Sequence, residues 1–183
     1  MKKILQKNEK VLRKIAKEVP VHDIQTTKIR KILKEMSEAL KSQKDGVAIA
    51  APQIGYSLRI FMVSGKIFSE NFIDGRKEKI EKKYDESISI PDAPEIEESA
   101  KDIIYINPKI SKLYREKEWL PEGCLSVRWL YGTVKRSTRV TLIGLDEKGN
   151  KIERGASGIL AQIFQHEVEH LNGVLFIDHA KEV

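Results

Sequence analysis

The 183-residue chain has a single cysteine, Cys124, so no disulfide can form within it. Histidine is scarce at four, and aromatic residues make up only 7%. No apolar run reaches the roughly 18 residues of a membrane-spanning helix, so no span is expected. The N-terminal stretch MKKILQKNEK has lysines but no apolar segment behind them, and it does not read as a secretory signal. Together these absences point to a reducing cytoplasm and to no membrane partner. The net charge of +6 is a modest excess, scattered along the chain with no nucleic-acid motif. It reads as a solubilising surface that favours acidic partners, without recognition of any nucleic-acid sequence.

What is present is enough for one domain over residues 1–183, with 40% hydrophobic and 33% charged residues. Val11, Leu12 and Ile15 predict a turn of helix ending near Pro20. Ile29, Ile32, Leu33, Met36 and Leu40 fall at helical spacing and predict an amphipathic helix from Thr27 to Ser42. The small apolar stretch Gly46 to Gln53 would let another backbone come close, although its composition suits a buried strand equally well. Leu58 to Val63 reads as a strand. Residues 65–100 are charged and poor in apolar groups, and read as a surface insertion with a short helix near Lys77 to Lys83.

Strand character returns at Ile103 to Ile106, closed by Asn107 and Pro108, with an irregular continuation from Ile110 to Glu118. Val134 to Leu145 and Lys151 to Arg154 flank a hairpin turn, Asp146 to Asn150. A last helix runs from Ser157 to Asn172, with Gly173 as its stop. The expected fold class is α+β, with mixed or antiparallel strands packed around a central, metal-binding helix.

The metal expectation comes from Gln165-His166-Glu167-Val168-Glu169-His170. Residues four apart share a helix face, so His166 and His170 aim two imidazoles at one point. Glu167 adjoins the first of them and could reach a water at the metal, the arrangement that hydrolyses carbonyl compounds. A solvated helix face is the plainer alternative. Against it stand Ile159, Leu160, Ile163, Phe164, Val168 and Leu171, which make the helix apolar enough that its polar groups need partners.

A catalytic site of this kind takes three protein ligands. Phe176 occupies the position where one metalloprotease pattern has a third histidine, and Glu182 lies close to a terminus expected to fray. Cys124 is the remaining candidate. A lone cysteine is commonly just a small buried apolar group. Here it sits in Glu122-Gly123-Cys124-Leu125-Ser126, between strand-like stretches, and thiolates bind borderline metals well.

These three stretches, Gly46 to Gln53, Glu122 to Ser126 and Gln165 to His170, together resemble peptide deformylase over nearly the whole chain apart from residues 65–100. The resemblance implies removal of the formyl group from N-terminal formylmethionine of newly made chains. Cys124, His166 and His170 would hold one divalent metal, iron in its ferrous state, with zinc, nickel or cobalt fitting the same ligands. Glu167 would move the proton. The Gln53 amide and the Leu125 N–H would meet the charge on the formyl oxygen. Gly46, Val47, Ala48 and Ile49 would pair with the substrate backbone, Glu122 and Gly123 would flank it, and Val47, Ile159 and Ile163 would wall a methionine pocket. Arg136 would pair with Glu122 and support the cysteine loop. N-formylmethionyl nascent peptides and a transient ribosome contact are the implied partners.

The chain departs from that family pattern in places. Ala48 replaces a second glycine, Gln162 stands where a pocket residue is usually apolar, and Arg128 and Trp129 follow where proline is common. Glu169 replaces an aspartate and, as it is no ligand, little effect is expected of it. Two other readings stay open on sequence grounds: a metal-dependent peptidase, and a metal-binding protein without catalysis.

Overall fold

The computed structural model describes residues 2–69, 72 and 101–183. Its first long helix, α1 (Thr27–Lys41), begins where Thr26 caps it, the side chain accepting from the Ile29 N–H. Its apolar stripe, Ile29, Ile32, Leu33, Met36 and Leu40, is buried as the spacing predicts. Seven strands follow: β1 (Ala48–Ala50), β2 (Ile60–Val63), β3 (Ile103–Leu113), β4 (Lys117–Gly123), β5 (Tyr131–Ser137), β6 (Arg139–Leu145) and β7 (Lys151–Ser157). The second long helix, α2 (Gly158–Leu171), carries the paired histidines.

Five strands form one antiparallel sheet in the order β1-β2-β3-β6-β7, and β4 pairs with β5 in a second. All four residues of β2 are buried because the sheet is covered on both sides. Alternation sends Ile60 and Met62 into a cluster with the α1 stripe, and Phe61 and Val63 into a cluster with α2. Phe61, Tyr105 and Phe164 form the aromatic centre of that second cluster, with ring centroids 4.9–6.0 Å apart. The α+β expectation with antiparallel strands therefore holds, and α2 packs on strands of both sheets.

Several boundaries differ from expectation. Asn107 and Pro108 do not close a strand: β3 runs on to Leu113 through a bulge, with register shifts after Ile106 and after Ile110. Asn107 takes φ +52° there, and its side-chain amide exchanges two 2.8 Å hydrogen bonds with the backbone of Val19. The stretch from Val134 to Leu145 is not one strand. It breaks at Thr138, whose N–H donates to the Glu116 carbonyl, and the two halves join different sheets. The N-terminal helical turn is a 3-10 turn, Lys10–Arg13, that buries Leu12 and leaves Ile15 exposed.

The charged stretch that starts at residue 65 begins inside the packed body. Gly65–Phe68 form a 3-10 turn with Gly65 and Ile67 buried, and Ile67 joins the α2 cluster. The expected helix near Lys77 to Lys83 lies outside the described residues. At the other end, Lys181 pairs with Thr133 through two backbone hydrogen bonds, so this end is tied down rather than frayed. No described helix is long and apolar enough to cross a membrane.

Candidate metal centre

Ten of the fourteen residues of α2 are buried, so its polar side chains must find partners inside the protein. Gln165 exchanges hydrogen bonds with both backbone groups of Ser137 in β5, at 2.9 and 3.0 Å. Arg59 reaches the last turn, donating to the Leu171 carbonyl at 3.2 Å and to Asn172 Oδ1 at 2.9 Å. A cation there suits the negative end of the helix dipole. Gly173 then ends the helix at φ +75°, and a Cβ on it would meet the Arg13 backbone at 2.8 Å. The helix is thus fixed along its length before any ligand is considered.

His166 and His170 project from one face of α2, with ring centroids 4.9 Å apart. Cys124, just past the end of β4, brings its Sγ to 3.1 Å from His170 Nε2. One donor atom from each of Cys124, His166 and His170 lies within 4.8 Å of the others. His166 turns Nδ1 to Glu122 Oε2 at 3.0 Å, which leaves its other ring nitrogen for the cluster. A sulfur and two ring nitrogens converging at this spacing form a donor set that fits a divalent transition metal. Phe176 does not join them. It stacks on the His166 ring, centroids 6.2 Å apart, and packs in the small cluster beneath the cysteine loop.

Arg136 organises the carboxylates behind this set. It is 3% exposed and grips Glu122 through Nε and Nη2 at 2.6 and 2.8 Å. It also holds Glu169 through Nη1 and Nη2, the latter at 2.8 Å. Glu169, expected to matter little, therefore joins α2 to the strand that ends in the cysteine loop. His179 adds a 3.4 Å contact to it. Gln162 is buried too, and its amide donates to the Pro121 carbonyl at 2.9 Å and to Glu122 at 3.4 Å. Both oxygens of Glu122 are thus engaged by protein groups, and any substrate contact at this position falls to its backbone. Gly123 is needed for close approach: a Cβ there would lie 2.7 Å from the Tyr131 ring.

The charges follow from these contacts. Burial alone would raise Glu122, but the Arg136 and His166 hydrogen bonds outweigh it and pull its pKa down to about 2. Burial works against the Cys124 thiolate as well. The charges and hydrogen bonds of His170 and His166 overcome that and hold the thiol well below its usual range. Burial disfavours a charged His166, yet hydrogen bonds to Cys124 and Glu122 raise it well above the ordinary imidazole value. Glu167 goes the other way. It is 4% exposed, and burial pushes its pKa up to about 7 despite the neighbouring histidines. Its Oε2 has no hydrogen-bond partner among the described residues. A carboxyl poised near neutrality beside a metal-type donor set has the properties of a general base and acid.

The remaining predicted residues gather around this point. The Gln53 side chain donates to Cys124 Sγ at 3.6 Å and to Ser126 Oγ at 3.0 Å, a contact not anticipated from sequence. Leu125 follows the cysteine, and its N–H meets no acceptor among the described residues. Gly46 lies beside Leu125, where a Cβ would come 3.3 Å from that side chain. Val47 and Ile159 are half-buried and pack on the cluster that contains Ile163 and Ala48. Ala48 is buried, at 5% exposure. β1, which continues from Gly46 and Val47 through Ala48 and Ile49, is an edge strand paired only with β2 among the described residues. Ser64 N–H donates to Val47 C=O at 2.8 Å, so alternation turns the Ala48 backbone toward the open edge.

The family model for polypeptide deformylase matches residues 1–183. Peptide deformylase 2 of Clostridium acetobutylicum is 33% identical over 183 residues, covering 100% of this chain and 97% of that protein. Among solved structures, the class I type b peptide deformylase of Acinetobacter baumannii with Met-Ala-Ser bound superposes with a TM-score of 0.76. It is 28% identical, and the match covers 98% of both chains. The peptide deformylase of Thermotoga maritima gives a TM-score of 0.75 at 29% identity, covering 99% of this chain and 98% of that one.

Proposed function

The chain belongs to the peptide deformylase family and removes the N-formyl group of newly synthesised polypeptides; from that premise we propose which residues do the work and which metal they hold. Cys124, His166 and His170 hold one divalent ion. A thiolate with two imidazoles is a borderline-soft donor set, and we assign ferrous iron to it, with zinc, nickel and cobalt able to occupy the same donors. Held by these three residues, such an ion would lower the pKa of a water toward neutrality and would polarise the formyl oxygen.

The protein's own groups account for the remainder. Glu167 takes the proton released as oxygen attacks the formyl carbon and delivers it to the amine nitrogen as the C–N bond breaks, so formate and a free N-terminus leave. The Gln53 amide and the Leu125 N–H donate to the formyl oxygen as it gains charge. The substrate backbone adds to the open edge of β1 along Gly46 to Ile49, beside Glu122 and Gly123. Val47, Ile159 and Ile163 enclose the methionine side chain, with Gln162 at the base. A formyl group offers little surface, so this apolar pocket supplies the selectivity. The Met-Ala-Ser carried by the Acinetobacter baumannii relative supports a substrate of the N-formylmethionyl class. We take residues 1–183 as one catalytic domain acting in the cytoplasm in transient contact with the ribosome, and the net charge of +6 favours that contact.

One observation carries the reading: three donor atoms within 4.8 Å of one another, beside a buried carboxyl whose pKa is raised to about 7. The test is metal analysis of anaerobically purified protein, followed by formate release from formyl-Met-Ala-Ser. About one iron per chain and prompt formate release are expected. Metal-loaded protein that releases no formate would overturn the assignment, and cleavage of casein by that same protein would favour a peptidase.

A further inference from the structure

Ser126 has no exposed surface, and its hydroxyl meets the side chain of Gln53. A primary amide has one acceptor oxygen and two N–H groups. In Gln53 the oxygen is fixed by the Ala50 N–H at 2.8 Å, which decides which way round the amide lies. One N–H goes to Ser126 Oγ at 3.0 Å. The other is left with Cys124 Sγ at 3.6 Å, a long contact that a better acceptor can displace. The Ser126 backbone N–H also donates to that sulfur, at 3.4 Å. With Ala50 holding the oxygen, the plane of the amide can still rock about that bond. Ser126 removes this freedom.

We propose that Ser126 is a positioning residue for deformylation, its hydroxyl acting solely through Gln53: by taking one amide N–H it aims the other at the cysteine sulfur and, during turnover, at the formyl oxygen. The inference rests on the reading of Gln53 as a donor to that oxygen. The alternative is a buried hydroxyl that merely satisfies its neighbour, and the two differ in what happens once the Gln53 amide is gone.

A double-mutant cycle separates them. Ser126→Ala is expected to lower kcat about tenfold and to change KM less than about twofold, because the donor is misaimed only where charge develops. Ser126→Thr, which keeps the hydroxyl, is expected to recover most of kcat. In a Gln53→Met background, Ser126→Ala should cost nothing further. A second readout is independent of turnover. In the cobalt(II)-loaded protein the thiolate-to-cobalt absorption should move to longer wavelength in Ser126→Ala and in Gln53→Met, with no further shift in the double variant. Losses that multiply in the double variant, or an unshifted band in Ser126→Ala, would overturn the proposal while leaving the role of Gln53 intact. Full activity in Gln53→Met would instead overturn the reading of Gln53 on which it rests.

Discussion

His166 Nδ1 lies 3.0 Å from Glu122 Oε2, and the same carboxylate is gripped from behind by Arg136. The imidazole is thereby held in one orientation with its far nitrogen toward Cys124. Glu122→Gln should weaken metal binding by about 10- to 100-fold, because a second-layer partner of a ligand is lost. Metal retained after dialysis against a graded series of chelator concentrations measures this. Wild-type retention in the variant would show that Glu122 does not orient the ligand.

The same carboxylate should govern stability in acid. Its folded pKa of about 2 lies below the ordinary 4.5, so its contribution is present above pH 4.5 and disappears as pH falls through about 2. The shift corresponds to on the order of 3 kcal/mol. Urea midpoints of metal-free wild type and Glu122→Gln, measured from pH 6 down to pH 2, should converge as pH falls. Parallel curves would remove Glu122 as the acid-sensitive group.

Glu167 has the opposite sign. Its pKa is raised to about 7, so the folded state is favoured below the ordinary 4.5 and loses that advantage as pH rises through about 7. Metal-free Glu167→Gln should therefore exceed wild type in stability at pH 8 by on the order of 3 kcal/mol, and the gap should close below pH 4. In the metal-loaded protein the same variant should keep its metal and lose about 10²–10⁴ in kcat. Near-normal turnover would break the acid–base assignment.

Cys124→Ser should strip the site of its soft donor. Metal content after dialysis should fall well below that of wild type, since an alcohol is a poor ligand for a borderline metal. Atomic absorption on the dialysed protein decides it, and unchanged content would take Cys124 out of the ligand set.

Phe164 tests the packing beneath the site. It is fully buried, with its ring 5.1 Å from Tyr105 and 6.0 Å from Phe61. Phe164→Ala should cost about 3–5 kcal/mol through lost burial and a residual cavity. A free energy of unfolding in urea lowered by less than about 1 kcal/mol would mean that the cluster repacks.

Periodicity made both long helices legible, and a continuous apolar run marked β2, because each of these is set by which faces are buried. That β3 continues beyond Pro108 was legible, but its passage through Asn107 and Pro108 without a break was hidden, since it depends on Val19, far away in the chain. The break at Thr138 was hidden as well: no glycine or proline marks it, and only the existence of two sheets explains it. At the site, the three donors and Glu167 could be read from residue type and spacing together with the family resemblance. Ser126 and Glu169 could not, because their partners Gln53 and Arg136 meet them only in the folded chain. A signal was nonetheless present. Polar side chains close to ligands need partners of their own once they are withdrawn from water, and both residues lie within the ligand stretches.

Arg136 reaches two elements at once, the strand that ends in the cysteine loop and the helix that bears the imidazoles. That bridge belongs to the polypeptide alone. It spaces sulfur and nitrogen before an ion arrives, so loading resembles docking into a finished socket more than a folding event. Swapping one divalent ion for another should then leave the backbone where it is, and differences in turnover among metals should reflect the ions themselves.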